Sequence, residues 1–232
     1  MLLIPWLLTL TAWAAPQPLV AMGDGLVVGT EIPATGAQTK EGTVPGGWVA
    51  VLADCLEERR PGRFAVTDQS TPDATAKTAR QRVYQALELR PALILVGLGA
   101  QELSGPDPDR AGFRDELAAL LADLRVDPVP AVMLVGMVPP TVAQMPDPEG
   151  IAQADVDQRT SRWNGELAAL ADSLPGVAHV DLLQEWPQNA DRRGRLTVDG
   201  TRLSDHGHAR VAAMVCDAVV IWDQASEDAS GD

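Results

Sequence analysis

Positive charge is scarce in this chain: 18 Lys and Arg stand against 32 Asp and Glu, a formal net charge of −14. Phosphate backbones and anionic lipid surfaces are held by clustered Lys and Arg, so nucleic acid and anionic membranes are not expected partners. Acidity itself keeps a protein soluble and names no partner. Aromatics are also few, 4% of the chain, and six of the nine are Trp. There are two cysteines, Cys55 and Cys216. They form no C-x-x-C pair and have no neighbouring His, so zinc is not expected. No cofactor or other metal is expected either. Both cysteines lie in apolar, helix-like stretches, which leaves two readings open, a disulfide or two buried free thiols.

What is present is ordinary for a globular domain: 232 residues, 46% hydrophobic and 22% charged, the size of one domain. The first residues, MLLIPWLLTLTAWAAPQP, are an apolar run ending in small residues. Ala12-Trp13-Ala14 fits the A-x-A rule for cleavage, which makes residues 1–14 a signal peptide and residue 15 the mature start. No Lys or Arg precedes the run, and no Cys follows it to carry a lipid. The run falls short of the roughly 20 apolar residues a membrane span needs. The expectation is an exported protein, periplasmic or extracellular, with no stable membrane span after leader cleavage. The other reading of the run is a buried first strand or helix.

Along residues 15–223, short apolar runs bounded by turn residues read as buried parallel strands: 18–22, 64–67, 92–97, 131–135 and, more weakly, 177–181. Segments with helical spacing separate them, at 47–59, 74–89, 110–124, 156–174 and 204–222. In the first of these, Trp48, Val51, Leu52, Cys55 and Leu56 recur at intervals of three and four. Strands alternating with helices of this length demand right-handed crossovers and a parallel sheet covered on both faces. The expected fold is α/β: a flavodoxin-like three-layer sandwich with a five-stranded parallel sheet in the order 2-1-3-4-5. Residues 138–151, with Pro139, Pro140, Pro146 and Pro148, read as a long loop. Residues 224–232 are acidic, Ser-rich and without periodicity, and read as a disordered tail.

Ligands of such sheets bind outside the carboxyl ends of the strands. Four segments belong there: Gly23-Asp24-Gly25-Leu26, Ser70-Thr71-Pro72-Asp73, Gly99-Ala100-Gln101-Glu102 and Asp199-Gly200-Thr201-Arg202-Leu203. In order and spacing they resemble the blocks of the SGNH, or GDSL-type, hydrolases. The first is similar to G-D-S-L, the third to G-x-N-D, and the last, continuing to Gly207-His208-Ala209, to D-G-x-H-P with its downstream G-[HY]. Smaller echoes are Trp163-Asn164 and the strand ending at Asp181. The resemblance spans residues 19–220 and implies an ester-hydrolase architecture.

It also implies what is missing. The nucleophilic Ser of the family corresponds to Gly25, which has no side chain. Its basic His corresponds to Arg202, whose guanidinium cannot accept a proton. Of the two oxyanion-hole groups, the Gly N–H corresponds to Pro72, which has no N–H, and the Asn amide to Gln101, one methylene longer. The orienting Asp is retained as Asp199. Losing one oxyanion donor removes roughly 10²–10³ in rate, and losing a triad member far more. The reading is therefore an exported, hydrolase-like protein that is inactive by the Ser-His mechanism, acting as a binding or structural module.

The alternative is an esterase or acetyl-ester hydrolase with a rebuilt site, for which Ser104, Ser204 and Thr201 supply hydroxyls and His179, His206 and His208 the imidazoles. The expected cleft comprises Asp24, Gly25, Gln101, Glu102, Asp199 and Arg202, with Asp73 and Asp205 nearby. Asp199 is expected to pair bidentately with Arg202. Such a cleft would take a small polar or saccharide ligand; a protein partner, docking on the helical surface or the Pro-rich loop, is the other reading. A two-carboxylate glycosidase site is a weaker reading of the same acids. Trp48 and Trp163 read as core, and Trp186, beside Pro187, as the candidate for stacking on a ligand.

Overall fold

Five apolar runs become five parallel strands, β1 (Gln17–Gly23), β2 (Phe64–Asp68), β3 (Leu93–Gly97), β4 (Ala131–Val135) and β5 (Val177–Val180). They lie in the order β2-β1-β3-β4-β5, the expected one. The structure, a computed structural model, describes residues 15–24, 47–103, 109–144, 150 and 152–230. Register runs Leu19 to Val66 and to Leu93, Leu93 to Ala131, and Met133 to Ala178.

Side chains on a strand alternate between faces, so a sheet buried on both sides builds two cores. Leu19, Ala21, Leu93, Leu95, Met133 and Val135 pack against helices α1 (Gly47–Arg59) and α8 (Asp205–Ser230). Val20, Met22, Ile94, Val96, Val132 and Leu134 pack on the opposite face. That face is covered by α2 (Ala76–Arg80), α3 (Val83–Glu88), α5 (Arg110–Asp123) and α6 (Gln153–Ser173). Two one-turn helices, α4 (Ala100–Leu103) and α7 (Ala190–Arg193), sit in loops. The expected helical spacings bury what they should. Phe113, Leu117, Leu120 and Leu121 face inward from α5, and Trp163 of α6 meets Phe113 edge-on at 4.5 Å between ring centroids.

Three details differ from the sequence reading. The single helix expected over residues 74–89 is two, α2 and α3, although no Pro or Gly marks the break at Gln81–Arg82. Thr75 caps α2 through a box with Thr78, each side chain bonded to the other's backbone N–H. The helix expected over 156–174 begins a turn earlier, at Gln153. The segment from 224, expected as a disordered tail, continues α8 as helix to Ser230. Its polar composition misled because part of it is paired: Glu227 receives Arg60 Nη2 at 2.5 Å. One turn earlier, Asp223 is wholly buried and receives Arg63 at 2.8 Å and Arg60 at 2.6 Å.

Cys55 of α1 and Cys216 of α8 form a disulfide, which decides between the two open readings. Together with the Arg60/Arg63–Asp223 cluster and an apolar seam of Leu52, Leu56, Ala212, Val215 and Val219, it ties α1 to α8. Among the described residues no helix is long and apolar enough to cross a membrane.

Candidate functional site

Three of the four segments meet where the strands end. The Asp24 N–H donates to Gly97 O at 3.0 Å, and Oδ2 of the buried Asp24 accepts from the Ala100 N–H at 2.8 Å. The end of β1 is thereby fixed to the turn after β3. Thr71 N–H donates to Gly23 O at 2.9 Å, which brings in the loop after β2. Gln101 Nε2 donates to Pro72 O at 3.3 Å, and Glu102 Oε1 accepts from Ala76 N–H at 2.8 Å, at the start of α2. The two positions aligned with the oxyanion hole are thus in contact. One is a proline without an N–H, and the other has its amide turned on that proline's carbonyl.

The fourth segment is a tight hairpin. Thr197 and Leu203 form an antiparallel bridge, Val198 N–H donates to Arg202 O at 2.9 Å, and Gly200 supplies the left-handed turn residue at φ 85°. Inside it, Asp199 Oδ1 accepts from Thr201 N–H (3.1 Å), Thr201 Oγ1–H (2.9 Å) and Arg202 N–H (2.9 Å). Oδ2 accepts from Arg202 Nε–H at 2.8 Å. The pair is closed by one guanidinium contact and the Arg202 backbone, not by the bidentate fork expected. Leu203 then faces a cavity of about 20 Å³, room for about one water, whose wall also includes Asp24, Trp48, Met137 and Val211. The first and last blocks therefore come to one place. Arg202 immediately precedes Leu203 of that lining.

Burial pushes the Asp199 carboxyl up, but hydrogen bonds from Arg202 and Thr201 outweigh it and bring it to about 2. A carboxylate so well satisfied is a poor proton acceptor, so Thr201, though bonded to it, gains no effective base. A folded value below the unfolded one stabilises the fold above roughly pH 4, and that contribution is lost as pH falls through about 2. Asp199→Asn is therefore expected to flatten the acid limb of stability between pH 4 and 2, measured by urea midpoints at each pH.

A clamp that the sequence reading missed holds this hairpin from behind. Arg193 of α7, 2% exposed, grips Asp157 of α6 with two nitrogens at 2.6 and 2.9 Å and donates through Nε to Pro187 O at 2.6 Å. Gln153, one turn before Asp157, donates to Asp157 (2.9 Å) and to Pro140 O (2.8 Å), and accepts from Val142 N–H (2.9 Å). Between those two loop residues, Thr141 N–H donates to Gly200 O at 2.6 Å. The Asp199 hairpin is thus strapped to the loop after β4. A Gln and an Asp four apart at a helix start gave a local hint; nothing in the sequence pointed to Arg193.

The remaining candidates fall apart from one another. Gly25, Ser104, Pro146 and Pro148 lie outside the described residues. Ser204 is an N-cap: its hydroxyl donates to Arg195 O at 2.6 Å and accepts from Gly207 N–H at 3.2 Å, which occupies it. His206 is exposed. His208 is buried, with Nδ1 unpartnered, and burial lowers its pKa against the pull of Asp205. His179 on β5 is half-buried, also lowered by burial, and its Nε2 has no partner. Among the described residues neither is hydrogen-bonded to a hydroxyl in the way a nucleophile's base must be. Asp24, Glu102 and Asp199 each bind backbone of their own surroundings, and among the described residues no group of three His, Cys, Asp or Glu could hold a metal. Trp48 and Trp163 are core as expected, whereas Trp186 is 3% exposed and cannot be the stacking residue. It belongs to the α1/α8 core together with Leu182 and Leu203, which its neighbour Pro187 gave no means of foreseeing.

The fold has clear counterparts. Est24, a carbohydrate acetylesterase from Sinorhizobium meliloti, superposes with a TM-score of 0.66 at 18% identity, over 89% of this chain and 99% of that one. A GDSL-like lipase from Bacteroides thetaiotaomicron gives 0.62 at 19% identity, over 90% and 92%. The lipase/acylhydrolase from Enterococcus faecalis gives 0.61 at 17% identity, over 88% and 95%. At these identities the likeness establishes the fold alone. No curated protein matches the sequence. The sequence profile of the GDSL-like Lipase/Acylhydrolase family, however, matches residues 21–210, most of the chain and every block discussed above, so the protein belongs to that family.

Proposed function

We propose that this protein is an exported member of the family that does not cleave esters by a Ser-His route and instead serves as a binding or structural module. One observation carries the reading: the Asp199 carboxylate, which in the resembling active family orients the basic His, is filled by Arg202 Nε and by three donors of its own hairpin. The aligned base position is a permanent cation, and the aligned nucleophile position is Gly25. Asp199, its pKa brought to about 2 by those hydrogen bonds, is a poor proton acceptor at neutral pH and serves to hold Arg202. Est24 is a carbohydrate acetylesterase, and a small polar or saccharide ligand is the ligand class this reading favours for the cleft. Export is supported by the apolar leader with its A-x-A end and is consistent with a disulfide-bonded chain.

A fluorophosphonate probe tests the reading against the rebuilt-hydrolase alternative, because it labels activated serines wherever they have moved. The expected result is no labelled serine on the native chain, mapped by peptide mass spectrometry. Stoichiometric labelling of one serine would overturn the proposal and locate the relocated site.

A further inference from the structure

The two sulfurs of the disulfide have different surroundings. Cys216 is wholly buried in the α1/α8 core with Val215 and Val219, while Cys55 is only partly buried at the edge of the same core. Arg59 lies one turn after Cys55 on α1 yet turns toward α8. Its Nη1 is 3.9 Å from Cys216 Sγ and also bonds the Asp217 carboxylate. An N–H of a guanidinium therefore points at the sulfur of the buried cysteine, not at that of the partly exposed one.

Thiol–disulfide exchange is decided by which sulfur an incoming thiolate can reach and by how well the other sulfur leaves as an anion. Here access selects Cys55 for attack, and the Arg59 guanidinium offsets the cost of leaving a thiolate on the buried Cys216. We propose that Cys55 is a site of mixed-disulfide formation with low-molecular-weight thiols in the folded protein, Cys216 being the leaving group and Arg59 the residue that steadies its departing charge. In the first step a thiolate RS⁻ bonds to Cys55 Sγ, the Cys55–Cys216 bond breaks, and its electron pair leaves on Cys216 as thiolate, which takes a proton from water. In the second step another RS⁻ attacks the adduct and releases RSSR and the Cys55 thiolate, so two external thiols supply the two electrons of the reduction. The fold has other ties to survive this, since the Arg60/Arg63–Asp223 cluster and the apolar seam also join α1 to α8.

The surface around Cys55 adds selectivity. Asp54, Glu57 and Glu58 are exposed on the same helix, and Asp217 is exposed across from them. An anionic thiol such as glutathione is repelled there and a cationic one such as cysteamine attracted, a difference that salt should screen.

The test uses the full native chain with excess cysteamine at pH 8, quenched early with acid and mapped by mass spectrometry, with near-UV circular dichroism reporting that the fold persists. The expected adduct is on Cys55 with Cys216 as a free thiol. Arg59→Gln is expected to slow exchange roughly threefold while leaving the thermal midpoint nearly unchanged. Cysteamine should outpace glutathione at equal thiolate concentration, and 1 M salt should narrow the gap. An adduct on Cys216, equal adducts on both, or exchange only on unfolding would overturn the assignment. An unchanged rate in Arg59→Gln would remove Arg59 from it.

Discussion

Replacing both Cys55 and Cys216 with Ala is expected to lower the stability of the domain by on the order of 4–5 kcal/mol. The bridge joins residues 161 apart, so in the unfolded chain it closes a very long loop. The chain-entropy relation for a loop of that length gives about 5 kcal/mol at 25 °C. The native side of the balance changes less, because α1 and α8 keep their apolar seam and the Asp223 cluster. Most of the loss should therefore appear through the unfolded state, with a larger denaturant dependence as the unlinked chain expands. Guanidinium unfolding of the two proteins measures it. A loss under about 1 kcal/mol would mean that the α1–α8 seam alone fixes the long loop, contrary to this account.

The second large effect is expected from Arg193→Met, a loss of about 3 kcal/mol. Arg193 is nearly as buried as any apolar core residue, and four hydrogen bonds hold it to Asp157, Pro187 O and Gln188. Removing one partner of such a pair strands the other, a loss of about 3–5 kcal/mol where both are buried. The lower figure applies because Asp157 keeps 32% of its side-chain exposure and can be partly hydrated. Adding Asp157→Leu to Arg193→Met should recover a good part of the loss, and the coupling energy of the cycle should exceed about 1 kcal/mol. Additive losses would show that Arg193 matters for its volume and not for its charge. Because the clamp reaches the Asp199 hairpin through Gln153 and Thr141, Arg193→Met should also weaken the protection of the Gly200 turn, read by amide exchange.

The sheet was legible because its strands are buried on both faces and so read as unbroken apolar runs, Ala131–Val135 to the residue. Most helices that pack one face on that sheet were legible, though the break between α2 and α3 was not. Legibility failed where side chains pair across long sequence distances. Glu227 holds the end of α8 in a helix through Arg60, 167 residues away, and no local pattern could have carried that. Arg193 and Asp157 were invisible for the same reason, and Trp186 was misjudged because the core it enters is built from distant helices. Within the candidate site the pairing of Asp199 with Arg202 was readable from their spacing, but not its single guanidinium contact nor the hairpin that sets it. The neighbourhood of Asp24, Gln101 and Pro72 was readable only through resemblance, because three separate strand ends bring it together.

Whether a family member with Gly25 and Arg202 in these positions cleaves esters at all decides between a binding module and a hydrolase. Turnover of short-chain aryl esters by the purified chain, compared with buffer and with Gly25→Ala, measures this directly. The expected result is hydrolysis indistinguishable from buffer for both proteins. Turnover clearly above buffer that Gly25→Ala abolishes would contradict the account and put catalysis back at the end of β1.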